Sequence, residues 1–199
     1  MRRHPMAVAL LGALMCGMLA AWSLARALPQ FSDPCHRWGV SFSAGAELNI
    51  PPGGPCRAIS VTSETKAQAV ARLVAINGGL LVAAFLGVLG IALARPRAAV
   101  LAAALLLLLS FPLAFSVAWV TALSAGLFLA AAREIAHFEG TAEPAAHLVG
   151  LLAALAAVMF IPAVLAGVLF GLFSFAALAF AAAAGWWPAG TMASGSSHP

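Results

Sequence analysis

The stretch AAVLAAALLLLLSFPLAFSVAWVTALSAGLFLAAA, residues 98–132, decides the fold class of this chain. It contains no charged side chain, and neither does a second stretch over residues 148–187, LVGLLAALAAVMFIPAVLAGVLFGLFSFAALAFAAAAGWW. A transmembrane helix needs about 20 apolar residues to cross a hydrocarbon core about 30 Å thick. The two stretches therefore predict membrane helices that are longer than one crossing requires.

The composition of the whole chain supports a membrane location. Of its 199 residues, 63% are hydrophobic and 8% are charged, whereas soluble domains carry a charge at about a quarter of their positions. The ten Lys and Arg residues are scattered along the sequence and form no basic patch. We therefore expect an integral membrane protein in contact with lipid, and no nucleic-acid partner.

The charge-free segments predict an all-α polytopic membrane protein built as a four-helix transmembrane bundle. Residues 1–188 would form a single domain, and residues 189–199 a disordered cytoplasmic tail. The N-terminal segment has the basic start of a signal peptide, but its apolar run is longer than an ordinary signal core, so we expect a retained helix. The predicted helices cover about residues 6–28, 63–94, 98–138 and 142–187, and a long outer loop covers 29–62.

Length places parts of these helices outside the membrane. At a rise of about 1.5 Å per residue, the second, third and fourth helices project beyond the outer face. The projecting parts of the third and fourth helices are apolar and need a cover. An alternative divides residues 148–187 into two shorter crossings near Pro162, and Pro112 is expected to kink the third helix.

Local charge density predicts the orientation. Arg95 and Arg97 crowd the short connection between the second and third helices, and Arg2 and Arg3 precede the first helix. Short connections rich in Arg lie on the cytoplasmic side of membranes. We therefore expect cytoplasmic N- and C-termini and a long first loop on the opposite side, with the identity of the membrane left open.

Two cysteines in the long loop predict a disulfide bond. Cys35 and Cys56 flank a segment rich in Pro and Gly that has too little apolar content to hold its own shape. Closing this loop would stabilise the folded state by about 3 kcal/mol and indicates an oxidising compartment. After the loop, Thr62 or Ser63 can cap the second helix with Glu64 in its first turn, and Thr65 with Gln68 offers a capping box as the alternative.

Small residues at four-residue spacing predict close helix packing, because they let two backbones approach in lipid. They occur at Gly79, Ala83, Gly87, Gly167 and Gly171. Asn77 is an amide inside the membrane segment. We expect it to bond between helices, although a functional cavity around it is the alternative.

Charged residues cluster at the turn between the third and fourth predicted helices. Glu134 and His137, and Glu143 and His147, are spaced to share helical faces, and mixed carboxylate and imidazole ligands suit a divalent metal. The simpler interpretation, solvated charge at helix ends, is favoured, so we expect no resident metal or cofactor. No phosphate-binding loop, haem-attachment motif or nucleophile elbow occurs in the sequence.

Three residues are candidates for contact with a partner protein. Trp38 and Arg37 form the one aromatic and cationic patch of the long loop, and Phe128 belongs to the projecting apolar hairpin. Trp and Arg are enriched among the residues that dominate binding energy at interfaces.

The predicted layout of four helices, cytoplasmic ends and a disulfide in the first outer loop resembles the claudin and PMP22-like membrane family. The resemblance covers the whole chain as architecture and implies a four-helix fold. In that family a Trp precedes a closely spaced cysteine pair, whereas Trp38 follows Cys35 here. No residue role is therefore carried over from the family.

These features favour a non-enzymatic accessory or scaffolding subunit that docks a membrane-protein partner or a second copy of itself. Its projecting hairpin and outer loop would form the docking surface. A small transporter, channel or lipid-handling protein is the alternative, although the membrane segments lack the buried charges that ion coupling uses. A metal or redox enzyme is a third, weaker hypothesis.

Overall fold

The structure is a computed structural model that describes residues 3–39, 56, 60–110, 118–139, 144–161, 164 and 169–186. Several residues that the sequence singled out lie outside this part of the chain. They are Pro112, Glu143, Pro162, Gly167 and the tail 189–199.

The described part of the chain is all-helical apart from one short strand pair. A parallel pair joins β1 (His36–Arg37) and β2 (Ser60–Val61). Helices α1, α2 and α4 are long and apolar enough to cross a membrane, which agrees with the predicted class of membrane protein. The six helices are α1 (Arg3–Ser32), α2 (Lys66–Ala92), α3 (Pro96–Ser110), α4 (Ala118–Phe138), α5 (Pro144–Val158) and α6 (Leu169–Trp186).

The predicted third helix over 98–138 is wrong, because α3 and α4 pack side by side. The hydroxyl oxygens of Ser110 and Thr121 are 2.7 Å apart. In one continuous helix, residues separated by eleven positions would lie about 16 Å apart along the axis. The chain therefore reverses direction between these two residues.

The predicted fourth helix over 142–187 is also wrong, because α5 and α6 pack against each other. Gly150 and Gly185 meet so closely that a Cβ atom added to Gly185 would lie 2.6 Å from the Cα of Gly150. The described residues of 148–187 thus form two helices, as in the alternative, although its break near Pro162 lies outside them. Among the described residues, six helices replace the predicted four.

The chain forms two compact units, where the sequence predicted one domain over 1–188. Unit 1 contains Met1–Leu19 and Gly79–Pro199, and unit 2 contains Ala20–Gly78. Helices α1 and α2 each contribute one part to each unit.

Helix α4 forms the core of unit 1. It packs along α3 on one side and α6 on another, and Phe138 is its one large hydrophobic side chain exposed among the described residues. Phe128, near the middle of α4, is fully buried against Gly12 of α1 and Gly87 of α2. A Cβ atom at Gly87 would overlap the Phe128 ring, whereas one at Gly12 would make an ordinary contact at 3.5 Å.

We expect Gly87→Ala to destabilise the protein by about 1–3 kcal/mol, because the buried ring has no free space into which it can move. Gly78→Ala, on the same helix, is the matched control. Its new Cβ would meet nothing within 4 Å, so it should stabilise by up to about 1 kcal/mol through helix propensity. Thermal unfolding of both variants in one detergent measures the difference. Equal effects would contradict the packing described for Phe128.

The turn after α2 uses a left-handed residue. Ala94 has φ of +53°, the N–H of Arg95 donates to the carbonyl of Gly90 at 2.7 Å, and the N–H of Ala94 donates to that of Ile91 at 3.2 Å. This pair of bonds is a Schellman motif, in which glycine is the usual residue at the left-handed position. An alanine there carries strain from its Cβ atom.

Replacing Ala94 by glycine should therefore stabilise the protein, by about 1 kcal/mol. Ala71→Gly, at an exposed position within α2, is expected to destabilise by a similar amount, since glycine is a poor helix former. The two variants should shift the unfolding temperature in opposite directions, and a loss of stability in Ala94→Gly would refute the strained turn.

Candidate functional site

The segment between α1 and α2, which we call the outer segment after its predicted side, has a disulfide bond next to the strand pair. Cys35 and Cys56 are bonded, with Cα atoms 5.6 Å apart, which confirms the predicted disulfide. Strand β1 begins one residue after Cys35, and its His36 pairs with Ser60 and its Arg37 with Val61 of β2. Two distant parts of the loop are therefore fixed to each other by both a covalent bond and backbone hydrogen bonds.

The neighbouring helix end is also fixed. The Thr65 N–H donates to Gln68 Oε1 at 2.9 Å, and the Gln68 N–H donates to Thr65 Oγ1 at 3.3 Å, so the predicted capping box is present. The N–H of Gly39 donates to the carbonyl of Glu64 at 2.9 Å, and Gly39 has the positive φ of 71° that this approach requires. The start of α2 is thus tied directly to the segment that follows β1.

Three aromatic side chains pack together around β1. The rings of Phe31 and Trp38 stack with centroids 5.1 Å apart and planes 8° from parallel. The ring of His36 lies 4.3 Å from that of Trp38, and its Nδ1 is 2.7 Å from the hydroxyl of Ser60. We call Phe31, His36 and Trp38 the aromatic clip.

The clip leaves one cation exposed. Neighbouring residues of a strand point to opposite faces, and His36 is accordingly partly buried while Arg37 is exposed. Trp38 is partly buried. In the described structure no carboxylate pairs with Arg37, so its exposed guanidinium presents free hydrogen-bond donors at the surface.

Asn77 bonds within unit 2. Its Oδ1 accepts a hydrogen bond from the Ser23 hydroxyl at 2.8 Å, and its Nδ2 donates to the Leu73 carbonyl at 2.8 Å. The residue is 7% exposed. These contacts join α1 to α2, as the interhelical interpretation of this amide expected.

The small residues of α2 lie at helix contacts of unit 1. A Cβ atom at Gly79 would meet the Leu109 side chain at 3.0 Å, and Ala83 is fully buried. Gly171 is buried on α6. The Gly150 and Gly185 contact was missed, because the two glycines lie on different helices and form no spacing pattern within either one.

Phe128 is not a partner contact. Its ring is fully buried inside unit 1, so the prediction that it belongs to a projecting docking hairpin is wrong. An apolar residue looks the same in sequence whether it faces lipid, a partner or the core, and the burial of Phe128 depends on glycines of two other helices.

Several charged residues of unit 1 lie at one end. His4 Nδ1 is 3.3 Å from Glu134 Oε2, so the N-terminal end of α1 is level with the end of α4. Because α3 runs opposite to α4, the turn containing Arg95 and Arg97 lies at that end as well. The predicted placement of the Glu134 region on the side opposite to this turn is therefore wrong.

The proposed metal ligands are not brought together. Glu134 contacts His4, while His147 packs edge-on against the Trp186 ring at 5.4 Å. His137 is exposed beside Phe138. Among the described residues, His, Cys, Asp and Glu form no group of three able to hold a metal ion.

The chain matches no protein-family model, no curated protein and no solved structure. The resemblance to the claudin and PMP22-like family thus stays a prediction, and the four-helix layout from which it came is replaced by six helices among the described residues.

Removing the disulfide through Cys35→Ser together with Cys56→Ser should loosen the aromatic clip, at a cost of about 2–5 kcal/mol to the stability of unit 2. Hydrogen exchange at residues 36–37 and 60–61 should accelerate, because the strand pair alone is too short to persist. Cys16→Ala, at the free buried cysteine of unit 1, is the control and should leave this exchange unchanged. Unaltered exchange in the double variant would show that the clip does not need its covalent bond.

Proposed function

We propose that this chain is a non-enzymatic integral membrane subunit, accessory or scaffolding, that docks a partner membrane protein through the outer segment of unit 2. The observation that supports this proposal is the aromatic clip with Arg37 beside it. A segment that only joins two apolar helices needs no disulfide, strand pair or capping box. Here a disulfide, a strand pair and a capping box hold the aromatic clip and the exposed Arg37 in one fixed segment.

The energetics of binding support the same function. Ordering a flexible loop during association costs free energy, and a surface that is ordered beforehand avoids this cost. Aromatic and Arg side chains provide much of the binding energy at protein interfaces. A carboxylate on the partner suits Arg37, and an apolar group on the partner suits the partly exposed Trp38.

The proposed orientation places this surface outside the cytoplasm. Arg95 and Arg97 lie at the same end of unit 1 as Arg133, and a concentration of Arg favours the cytoplasmic side. Even numbers of crossings return the N- and C-termini to one side, which we propose is the cytoplasm. Independently of unit 1, the disulfide supports a position of the outer segment on the oxidising side, where such bonds persist.

Purification from the native membrane in mild detergent, followed by native mass spectrometry, tests the proposal. We expect one partner protein in fixed stoichiometry with the wild-type chain, and at least a tenfold loss of that complex in Arg37→Glu and in Trp38→Ala. Arg95→Gln is the control for altered charge, since Arg95 is exposed in unit 1, and it should retain the partner.

Two results would contradict this function. Recovery of the wild-type chain as a monomer would exclude a stable subunit. Equal retention of the partner by Arg37→Glu, Trp38→Ala and Arg95→Gln would show that the complex uses another surface.

A further inference from the structure

Arg133 carries a partly buried charge without a carboxylate partner in the described structure. Its Nη1 donates to the carbonyl of Gly185 near the end of α6 and lies 3.4 Å from Nε2 of His147. The adjacent acid, Glu134, contacts His4 instead. A guanidinium has five N–H donors, and these two contacts both use Nη1, so the remaining donors are available to a ligand.

The chemistry of this group suits a phosphate. A partly dehydrated cation is costly unless an anion lies near it, and the planar guanidinium fork matches two oxygens of a phosphate group. His147 accepts from this guanidinium at Nε2, so its ring carries the proton on Nδ1, and that N–H is the second donor for the phosphate. Anions of this kind are abundant at membrane surfaces as lipid headgroups.

An apolar stripe begins directly beside this polar site. Four side chains of α5 that follow His147 are 45–60% exposed and have the spacing of one helical face. Trp186, which packs against His147, is 57% exposed, and Trp favours the boundary between headgroups and hydrocarbon. The stripe consists of Leu148, Leu151, Leu152 and Leu155.

We infer that the ends of α4, α5 and α6 form a binding site for an anionic phospholipid. Arg133 and His147 contact the phosphate, Trp186 marks the level of the headgroup, and the acyl chains lie along the leucine stripe of α5. A free phosphate ion would use the polar contacts alone, so the stripe favours the lipid as the source of the phosphate. This site belongs to unit 1 and is independent of the docking surface proposed for unit 2.

The test uses the purified, delipidated full-length chain in detergent, with bound lipid counted by native mass spectrometry. Phosphatidylglycerol should bind at one saturable site and about tenfold more tightly than phosphatidylcholine. Arg133→Gln should remove this preference, since it deletes the positive charge and the paired guanidinium donors that match two phosphate oxygens. Arg97→Gln, at an exposed Arg of the same end, should change the affinity less than twofold, and Arg133→Lys should restore part of the preference.

A second variant separates binding from folding, because Arg133 also bonds to α6. Leu152→Asn leaves every polar contact in place. It should weaken the binding of long-chain phosphatidylglycerol and leave the binding of a short-chain form unchanged. Unfolding temperatures without lipid report whether each variant is folded. Equal binding of the two lipids by the wild type, an unchanged preference in folded Arg133→Gln, or displacement of the lipid by equimolar inorganic phosphate would each overturn the site.

Discussion

The contact of Phe128 with Gly12 and Gly87 is the constraint on which the rest of unit 1 depends. A large ring is fully buried where α1, α2 and α4 meet, and hydrophobic exclusion does not drive helices together in lipid. Close fit between a ring and two bare backbones therefore provides the attraction through dispersion. This places α4 at the centre, and α3 and α6 then pack along its remaining sides.

The central position of α4 also decides where charge lies. Because α4 and α6 run in the same direction, Arg133 reaches Gly185 at the end of α6. Because α3 is reversed, Arg95 and Arg97 return to that same end. The packing of apolar residues in the core thus gathers dispersed Arg residues at one end of unit 1, and the proposed orientation and the proposed lipid site both depend on them.

Unit 2 is held together by different interactions from those of unit 1. It has few buried apolar groups, and its order comes from the Cys35–Cys56 bond, the capping box and the stacked rings of Phe31 and Trp38. Each of these interactions acts on a short stretch of chain. These local interactions keep the segment around β1 in one shape, with Arg37 exposed at its surface.

Local chemistry in the sequence determined the membrane class, the disulfide and the bonding of Asn77 between helices, and it narrowed the cap of α2 to two alternatives, of which the structure has the box at Thr65. Each of these features depends on composition or on a residue type, such as a cysteine pair or a buried amide, that forms one characteristic interaction. The hairpins, the burial of Phe128 and the contact of Gly150 with Gly185 were decided by tertiary structure alone. A charge-free apolar run is equally suited to one long helix or to two shorter ones, and only packing against α4 distinguishes them, because in lipid the fit between surfaces, and not their polarity, sets the free energy.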